Sequence, residues 1–297
     1  MSTDGKSAAP SSAPSPEAPD DWIIDQAWAD YTAEDHAVWN TLYERQAELL
    51  PARACTPFLK GLDALDLHRG GIPEFARIND ELKALTGWQV VAVPGLVPDE
   101  VFFHLLANRR FPAGRFIRRP DQLDYLQEPD VFHDVFGHVP MLTDPTFADY
   151  MAAYGRGGER AMALGRLKNL ARLYWYTVEF GLIEEQGRLR LLGAGIVSSL
   201  SESIFALEDP SPNRLGFDLE RIMRTPYRID DFQQVYFVTP SLQALLDATL
   251  ADFSGLYERL AGACDIALDV ILPTDKVFRR GTQAYALRRA HDGACTD

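Results

Sequence analysis

Residues 128–140 read Glu128-Pro129-Asp130-Val131-Phe132-His133-Asp134-Val135-Phe136-Gly137-His138-Val139-Pro140. Pro129 suits the first turn of a helix, which puts His133 one turn in. Five residues along an ideal α-helix turn through ~140°, so His133 and His138 share no face if the helix continues. Gly137 and Pro140 predict that it stops. A helix ending near Gly137 swings His138 back beside His133, and two imidazoles then converge on one point. The spacing is one residue longer than in the H-E-x-x-H zinc-protease motif, and Asp134 stands where the catalytic glutamate of that motif would be.

Two histidines need a third ligand to hold a catalytic metal. Glu179 is the candidate, in Tyr174-Trp175-Tyr176-Thr177-Val178-Glu179-Phe180-Gly181-Leu182, an apolar, aromatic helix with one carboxylate. A buried, unpaired carboxylate costs several kcal/mol, so it needs a cation or a proton. Arg172, two turns back, is poorly placed to help. Two neutral imidazoles and a carboxylate are the facial arrangement that suits non-haem Fe(II) and leaves three positions open. Zinc uses the same ligand types, and spacing alone stops at a three-ligand metal site.

Around this centre the chain reads as mainly α with a few short β-strands. Thr32 and Asp35 form a capping box ahead of Val38, Leu42, Arg45 and Leu49. Thr56-Pro57 opens a second helix with Phe58, Leu62 and Leu65. Phe75, Ile78, Leu82 and Leu85 mark a third, stopped at Gly87. Residues 89–93 are a β-branched strand ended by Pro94-Gly95. Pro98-Asp99 opens another helix bearing Phe102, Phe103, Leu105 and Leu106. Residues 129–180 are predicted to be several helices broken at 137–140, 144–145 and 155–158. A second strand region covers 188–197, and 241–260 is the last patterned helix.

The chain has 297 residues, 46% hydrophobic and 24% charged, an ordinary mix for a globular protein. Forty-three acids against 29 bases leave a net charge of -14, which argues against nucleic-acid and anionic-membrane partners. The longest apolar runs, such as 191–197, fall far short of the ~18–20 residues of a spanning helix. Three cysteines, Cys55, Cys264 and Cys295, form no C-x-x-C pair, so a reducing, cytoplasmic setting is expected. Residues 1–20, rich in proline and serine, are expected to be a disordered leader. The catalytic domain is placed at 21–260, with a tail of open structure at 261–297.

Residues 93–97, 108–112, 116–118, 125–140, 173–182 and 193–199 resemble, in order, the motifs of the pterin-dependent aromatic amino acid hydroxylases. The likeness is strongest to the short bacterial branch that acts on phenylalanine, and it runs from about residue 31 to about 260. The resemblance implies one basket-shaped catalytic domain. It implies Fe(II) on His133, His138 and Glu179, with tetrahydropterin and dioxygen as co-substrates. Dioxygen is split between iron and pterin, and an electrophilic oxygen attacks the aromatic ring.

By the same resemblance, Gly95 and Val97 meet the pterin through their backbone and Phe102 by stacking. Asp134 reaches it through solvent, with Ala171 and Tyr174 at the rim. Much of the family has Glu where this chain has Asp134, and the shorter acid favours a water-bridged contact. Arg118, supported by Ser198, pairs with the carboxylate of the amino acid, while Trp175, Phe180 and Gly195 shape the ring pocket. Among Arg109, Arg110, Arg115, Arg118 and Arg119, only Arg118 is selected in this way. Glu202 is expected to pair with a neighbouring base.

Trp175 implies phenylalanine hydroxylated to tyrosine, the first step of phenylalanine catabolism, since tryptophan hydroxylases carry Phe there. Tyrosine and tryptophan are the alternative substrates. A monomer without substrate-triggered allostery is expected, as 261–297 has no sustained heptad repeat and no regulatory domain precedes the catalytic region. Three rival readings fit the sequence less well. A 2-oxoglutarate oxygenase needs H-x-[DE] on strands. A zinc hydrolase has only Asp134 as a base. A non-catalytic sensor of aromatic amino acids or pterins would not need three intact ligands.

Overall fold

A computed structural model describes residues 18–68, 70–124 and 128–294. Residues 1–17 of the leader expected at 1–20, with Tyr125 and Cys295, lie outside the described residues; Pro19 and Asp20 belong to a 3-10 turn, Pro19–Trp22, and Asp20 pairs with Arg110. Helix α1 (Ala33–Leu49) starts at Thr32, whose hydroxyl accepts the Asp35 amide while Asp35 accepts the Thr32 amide. It buries Val38, Trp39, Leu42 and Gln46, so the inward stripe omits Arg45 and Leu49. Helices α2 (Thr56–Ala64) and α3 (Phe75–Leu85) follow their predicted patterns, except that Leu85 is 47% exposed.

Strand β1 (Gln89–Val93) runs parallel to β2 (Arg110–Gly114), in register from Gln89 opposite Arg110 to Val93 opposite Gly114. Helix α4 (Asp99–Ala107) makes the crossover that a parallel pair requires. Proline and glycine hide β2 in the sequence. A two-stranded sheet has edges that tolerate Pro112.

Helix α5 (Pro145–Ala163) corrects one expectation, because it runs unbroken through 155–158. Gly155 and Gly158 mark close packing on α4. A Cβ on Gly155 would stand 2.3 Å from the Ala107 amide nitrogen, and one on Gly158 would overlap the Phe103 ring at 1.9 Å. Helix α6 (Leu167–Tyr174) leads to strands β3 (Leu182–Glu185) and β4 (Arg188–Leu191), an antiparallel hairpin. The strand predicted over 188–197 therefore stops early, and Ala194–Val197 is a short helix, α7.

Helix α8 (Leu200–Glu208), strand β5 (Asn213–Gly216), helix α9 (Leu219–Met223) and strand β6 (Val235–Thr239) come next. Every residue of β6 is buried, as befits an uninterrupted apolar run in mid-sheet. The predicted 241–260 helix is two, α10 (Leu242–Leu250) and α11 (Ser254–Leu260).

The remaining chain adds β7 (Val277–Arg279) and α12 (Ala284–Ala294), completing a five-stranded sheet ordered β4-β3-β6-β5-β7. It also supplies counter-ions to the body. Asp265 takes both prongs of buried Arg172 at 2.7 Å, and Asp275 faces buried Arg221 at 3.3 Å. One continuous apolar core joins α1 to α11. Among the described residues, no helix is long and apolar enough to cross a membrane.

Candidate metal centre between two cavities

Asp130 organises the approach to the centre. One of its oxygens accepts the His133 amide at 3.0 Å, three residues ahead, in the manner of a helix cap. The chain then winds as a π-helix over Phe132–His138. A π-turn closes at i→i+5, so residues five apart come near one face. This corrects the expected stop at Gly137. The helix does not end and swing back there; it widens.

The two Nε2 atoms of His133 and His138 end 3.3 Å apart. A second π-turn, Trp175–Glu179, extends α6, with the Phe180 amide donating to the Trp175 carbonyl at 2.7 Å. It delivers Glu179 with Oε1 3.2 Å from His138 Nε2 and Oε2 3.6 Å from His133 Nε2. These are the only three side chains among the described residues that converge as a metal site would require.

The electrostatics identify what the cluster lacks. Ser198 Oγ donates to the Ala194 carbonyl at 2.7 Å, so at 3.0 Å from His133 Nδ1 it must accept. That assigns the proton to Nδ1 and turns the lone pair of His133 Nε2 toward Glu179. Burial, helped by the nearby Arg118, outweighs the pull of Glu179 and lowers the His133 pKa to about 4. The ring is neutral at pH 7. Burial raises the Glu179 pKa, but His138, His133 and the Gly195 amide bring it below the ordinary range. An ionised carboxylate and a neutral His133 thus converge with His138 on one point, and a divalent cation fits between them.

Two cavities meet here. The smaller, about 200 Å³, is lined by Gly95, Val97, Phe102, Asp134 and Tyr174. Ala171 lies one turn ahead of Tyr174 and lines neither cavity. The Gly114 amide donates to Asp134 at 2.8 Å, while burial pushes the Asp134 carboxyl up to about 7. The larger cavity, about 810 Å³, is lined by Arg118, Trp175, Phe180, Gly195 and Ser198. Pro129, His133 and Glu179 line both.

Arg118 is the only one of the five sequence arginines in the larger wall. Arg109, Arg110 and Arg119 pair outward with Asp149, Asp20 and Asp121. The Nε and Nη2 atoms of Arg118 hold Asp130 at 2.8 and 2.9 Å, both residues being buried. That contact uses one edge of the guanidinium; on the other, Nη1 makes only a long contact of 3.5 Å to the Leu123 carbonyl, so the Nη1–Nη2 edge can take a second anion. Trp175 stacks on Phe180 at 4.8 Å and on Tyr227 at 4.2 Å, and its Nε1 donates to Gln233 at 3.1 Å. Gly195 is required beside them, since a Cβ there would stand 2.9 Å from the Phe180 ring.

Glu202 does not pair with a base as expected. Its partner is the Tyr236 hydroxyl, and burial raises its pKa from 4.5 to about 7. The neutral acid is the form the fold prefers. Its contribution is full below about pH 4.5 and is lost as pH rises through 7. Glu202→Gln is therefore expected to match the parent near pH 4.5 and to be about 2–3 kcal/mol more stable at pH 8. Urea unfolding across that range checks it, and parallel pH profiles for the two proteins would contradict it.

Sequence reasoning missed Asp130, Tyr227 and Gln233. Asp130 carried a signal, an aspartate three residues before a helical amide. Tyr227 and Gln233 lie on an irregular stretch with no periodicity to read.

Known proteins match this arrangement. The family model for "Biopterin-dependent aromatic amino acid hydroxylase" matches residues 25–260. The phenylalanine-4-hydroxylase of Caulobacter vibrioides is 70% identical over 286 residues, 96% of each chain. That of Chromobacterium violaceum is 57% identical over 261 residues, 88% of each chain. The crystal structure of the C. violaceum enzyme with bound oxidized Fe(III) superposes with a TM-score of 0.85 at 58% identity, covering 87% of this chain and 94% of that one. Its iron- and phenylalanine-bound structure gives 0.83 at 56%, with the same coverage. With the fold, the three converging ligands and these matches in agreement, the chain belongs to the biopterin-dependent aromatic amino acid hydroxylase family.

Proposed function

We infer that this chain is an iron- and tetrahydropterin-dependent monooxygenase that hydroxylates L-phenylalanine to L-tyrosine with dioxygen. One observation carries the reading: His133 and Glu179 sit in the wall shared by two cavities of different chemistry. That arrangement lets a metal held there meet a reductant from one side and an aromatic ring from the other. The relatives named phenylalanine-4-hydroxylase supply the substrate.

His133, His138 and Glu179 would hold ferrous iron, with His133 fixed in the ligating tautomer by Ser198. Bound iron supplies a centre at which dioxygen, with electrons from the pterin, is activated to oxidise the ring. Gly95 and Val97 hold the pterin through their backbone, Phe102 by its ring and Asp134 through water, with Tyr174 at the rim; Ala171, one turn before Tyr174, lies outside the lining. Arg118 presents its Nη1–Nη2 edge to the carboxylate of phenylalanine. Ser198 supports that end, and Trp175, Phe180 and Gly195 enclose the ring and keep water from it. Trp175, held between Phe180 and Tyr227, leaves less room for an indole than for a phenyl ring.

The catalytic unit is residues 21–260, braced by 261–294 through Asp265 and Asp275. The free thiols of Cys55 and Cys264 suit a cytoplasmic enzyme, and we read it as a monomer.

Ser198→Ala is expected to weaken iron binding about 10–100-fold, because His133 loses the partner that fixes its orientation. Competition with a chromogenic chelator measures this, and unchanged affinity would remove Ser198 from the account. The function itself is tested by turnover with Fe(II), tetrahydropterin and each aromatic amino acid. Tyrosine formed from phenylalanine, only when both iron and pterin are present, is the expected result. Turnover of tryptophan in preference to phenylalanine would overturn the substrate.

A further inference from the structure

Helix α12 lies beyond the residues matched by the family model, yet Tyr285 near its start lines the larger cavity. Its hydroxyl donates to Asp231 Oδ1 at 2.7 Å, and Arg289, one turn on, donates to Asp231 Oδ2 at 3.1 Å. The Asp231 side chain is only 8% exposed, so both tethers act on a carboxylate largely out of water. Asp231 Oδ1 also accepts the Phe232 amide at 2.9 Å. The next residue, Gln233, accepts Trp175 Nε1 and returns its amide to the Arg228 carbonyl at 2.8 Å. The Tyr285 ring packs 5.3 Å from both Phe205 and Phe232. The start of the helix is itself anchored, with the Tyr285 amide on Ser211 Oγ at 2.9 Å and the Gln283 side chain on the Gln234 carbonyl at 3.1 Å.

We propose that α12 positions the amino-acid pocket: Tyr285 and Arg289 hold Asp231, and through it the 228–233 loop that walls the cavity and carries Gln233 to Trp175. Tyr285 is a positioning residue that acts on affinity for the amino acid. It has no contact with the iron ligands or the smaller cavity, so the pterin side is indifferent to it. The proposal rests on the functional reading above for the identity of the ligand.

Tyr285→Phe keeps the ring on Phe205 and Phe232 and removes only the hydroxyl. In the iron-loaded full-length enzyme it is expected to raise KM and the calorimetric Kd for phenylalanine about tenfold. The KM for tetrahydropterin, the iron content and kcat should stay within about twofold. Arg289→Gln, at a more exposed tether, should give a smaller rise of the same kind. Adding Asp231→Ala to Tyr285→Phe should cost less than the sum of the single changes, because both break one link. An unmoved Kd for phenylalanine in Tyr285→Phe overturns the proposal. So does a parallel rise in the constants for both co-substrates with a lowered Tm, which is the mark of general loosening. Wild-type enzyme that binds phenylalanine without converting it contradicts the functional reading instead, and the calorimetric comparison still judges the role of Tyr285.

Discussion

Glu179→Ala is expected to lower turnover by more than about 10³-fold while leaving the fold intact. The side chain is one of only three ligand groups, and its oxygens lie 3.2 and 3.6 Å from the two imidazoles. Two histidines alone hold a divalent ion too weakly to survive purification. Without iron the change should cost a little stability, because the imidazoles and the Gly195 amide favour the ionised acid by more than burial opposes it. The sharper readout is linkage. Ferrous iron at a hundred times its Kd should stabilise the parent by about 2.7 kcal/mol, and the variant by nothing measurable. Undiminished turnover, or iron-dependent stabilisation that persists in Glu179→Ala, would contradict the ligand set.

Asp130→Ala should show the largest loss of stability. Asp130 is fully buried and takes the Nε and Nη2 of Arg118, the Arg118 amide at 3.0 Å and the His133 amide at 3.0 Å. The four bonds outweigh the cost of burial and hold its pKa below the ordinary carboxylate range. Alanine leaves the Arg118 charge buried and unpaired, which costs about 3–5 kcal/mol. The loss of the cap on the His133 amide adds about 1 kcal/mol. A domain with ~5–15 kcal/mol in all would be left marginal. Urea unfolding gives the difference. Asp130→Asn, which still accepts the His133 amide but also leaves Arg118 without a counter-charge, is the control and should lose about 1 kcal/mol less. Equal losses in the two variants would mean that the missing negative charge beside Arg118 accounts for the whole effect and that the His133 cap adds nothing.

The metal ligands were legible because chemistry stood out against its background. Two histidines and a lone glutamate interrupted otherwise apolar, aromatic stretches. Their convergence was legible only in outcome. Sequence arithmetic assumes 3.6 residues per turn, and on that rule His133 and His138 diverge. The π-turns at Phe132–His138 and Trp175–Glu179 change the count, and residue identity does not announce them. Glycine was ambiguous in a similar way. At 155–158 it reads as a break, yet its use is to let α5 approach Ala107 and Phe103.

Helical periodicity, caps and the β-branched run at Gln89–Val93 could be read locally, and they were found in place. Strands β2, β5 and β6 depend on partners distant in sequence, and short apolar runs do not distinguish them from helix. Arg118 could be singled out only by resemblance. Its distinction in the structure is Asp130, twelve residues away, which orients it into the cavity wall while its neighbours pair outward.

The most direct test of the account is diffraction at the iron absorption edge from crystals loaded anaerobically with Fe(II). One anomalous peak is expected, within bonding distance of His133 Nε2, His138 Nε2 and a Glu179 oxygen, at the junction of the two cavities. A peak elsewhere, or iron-loaded crystals with these three side chains turned apart, would contradict it.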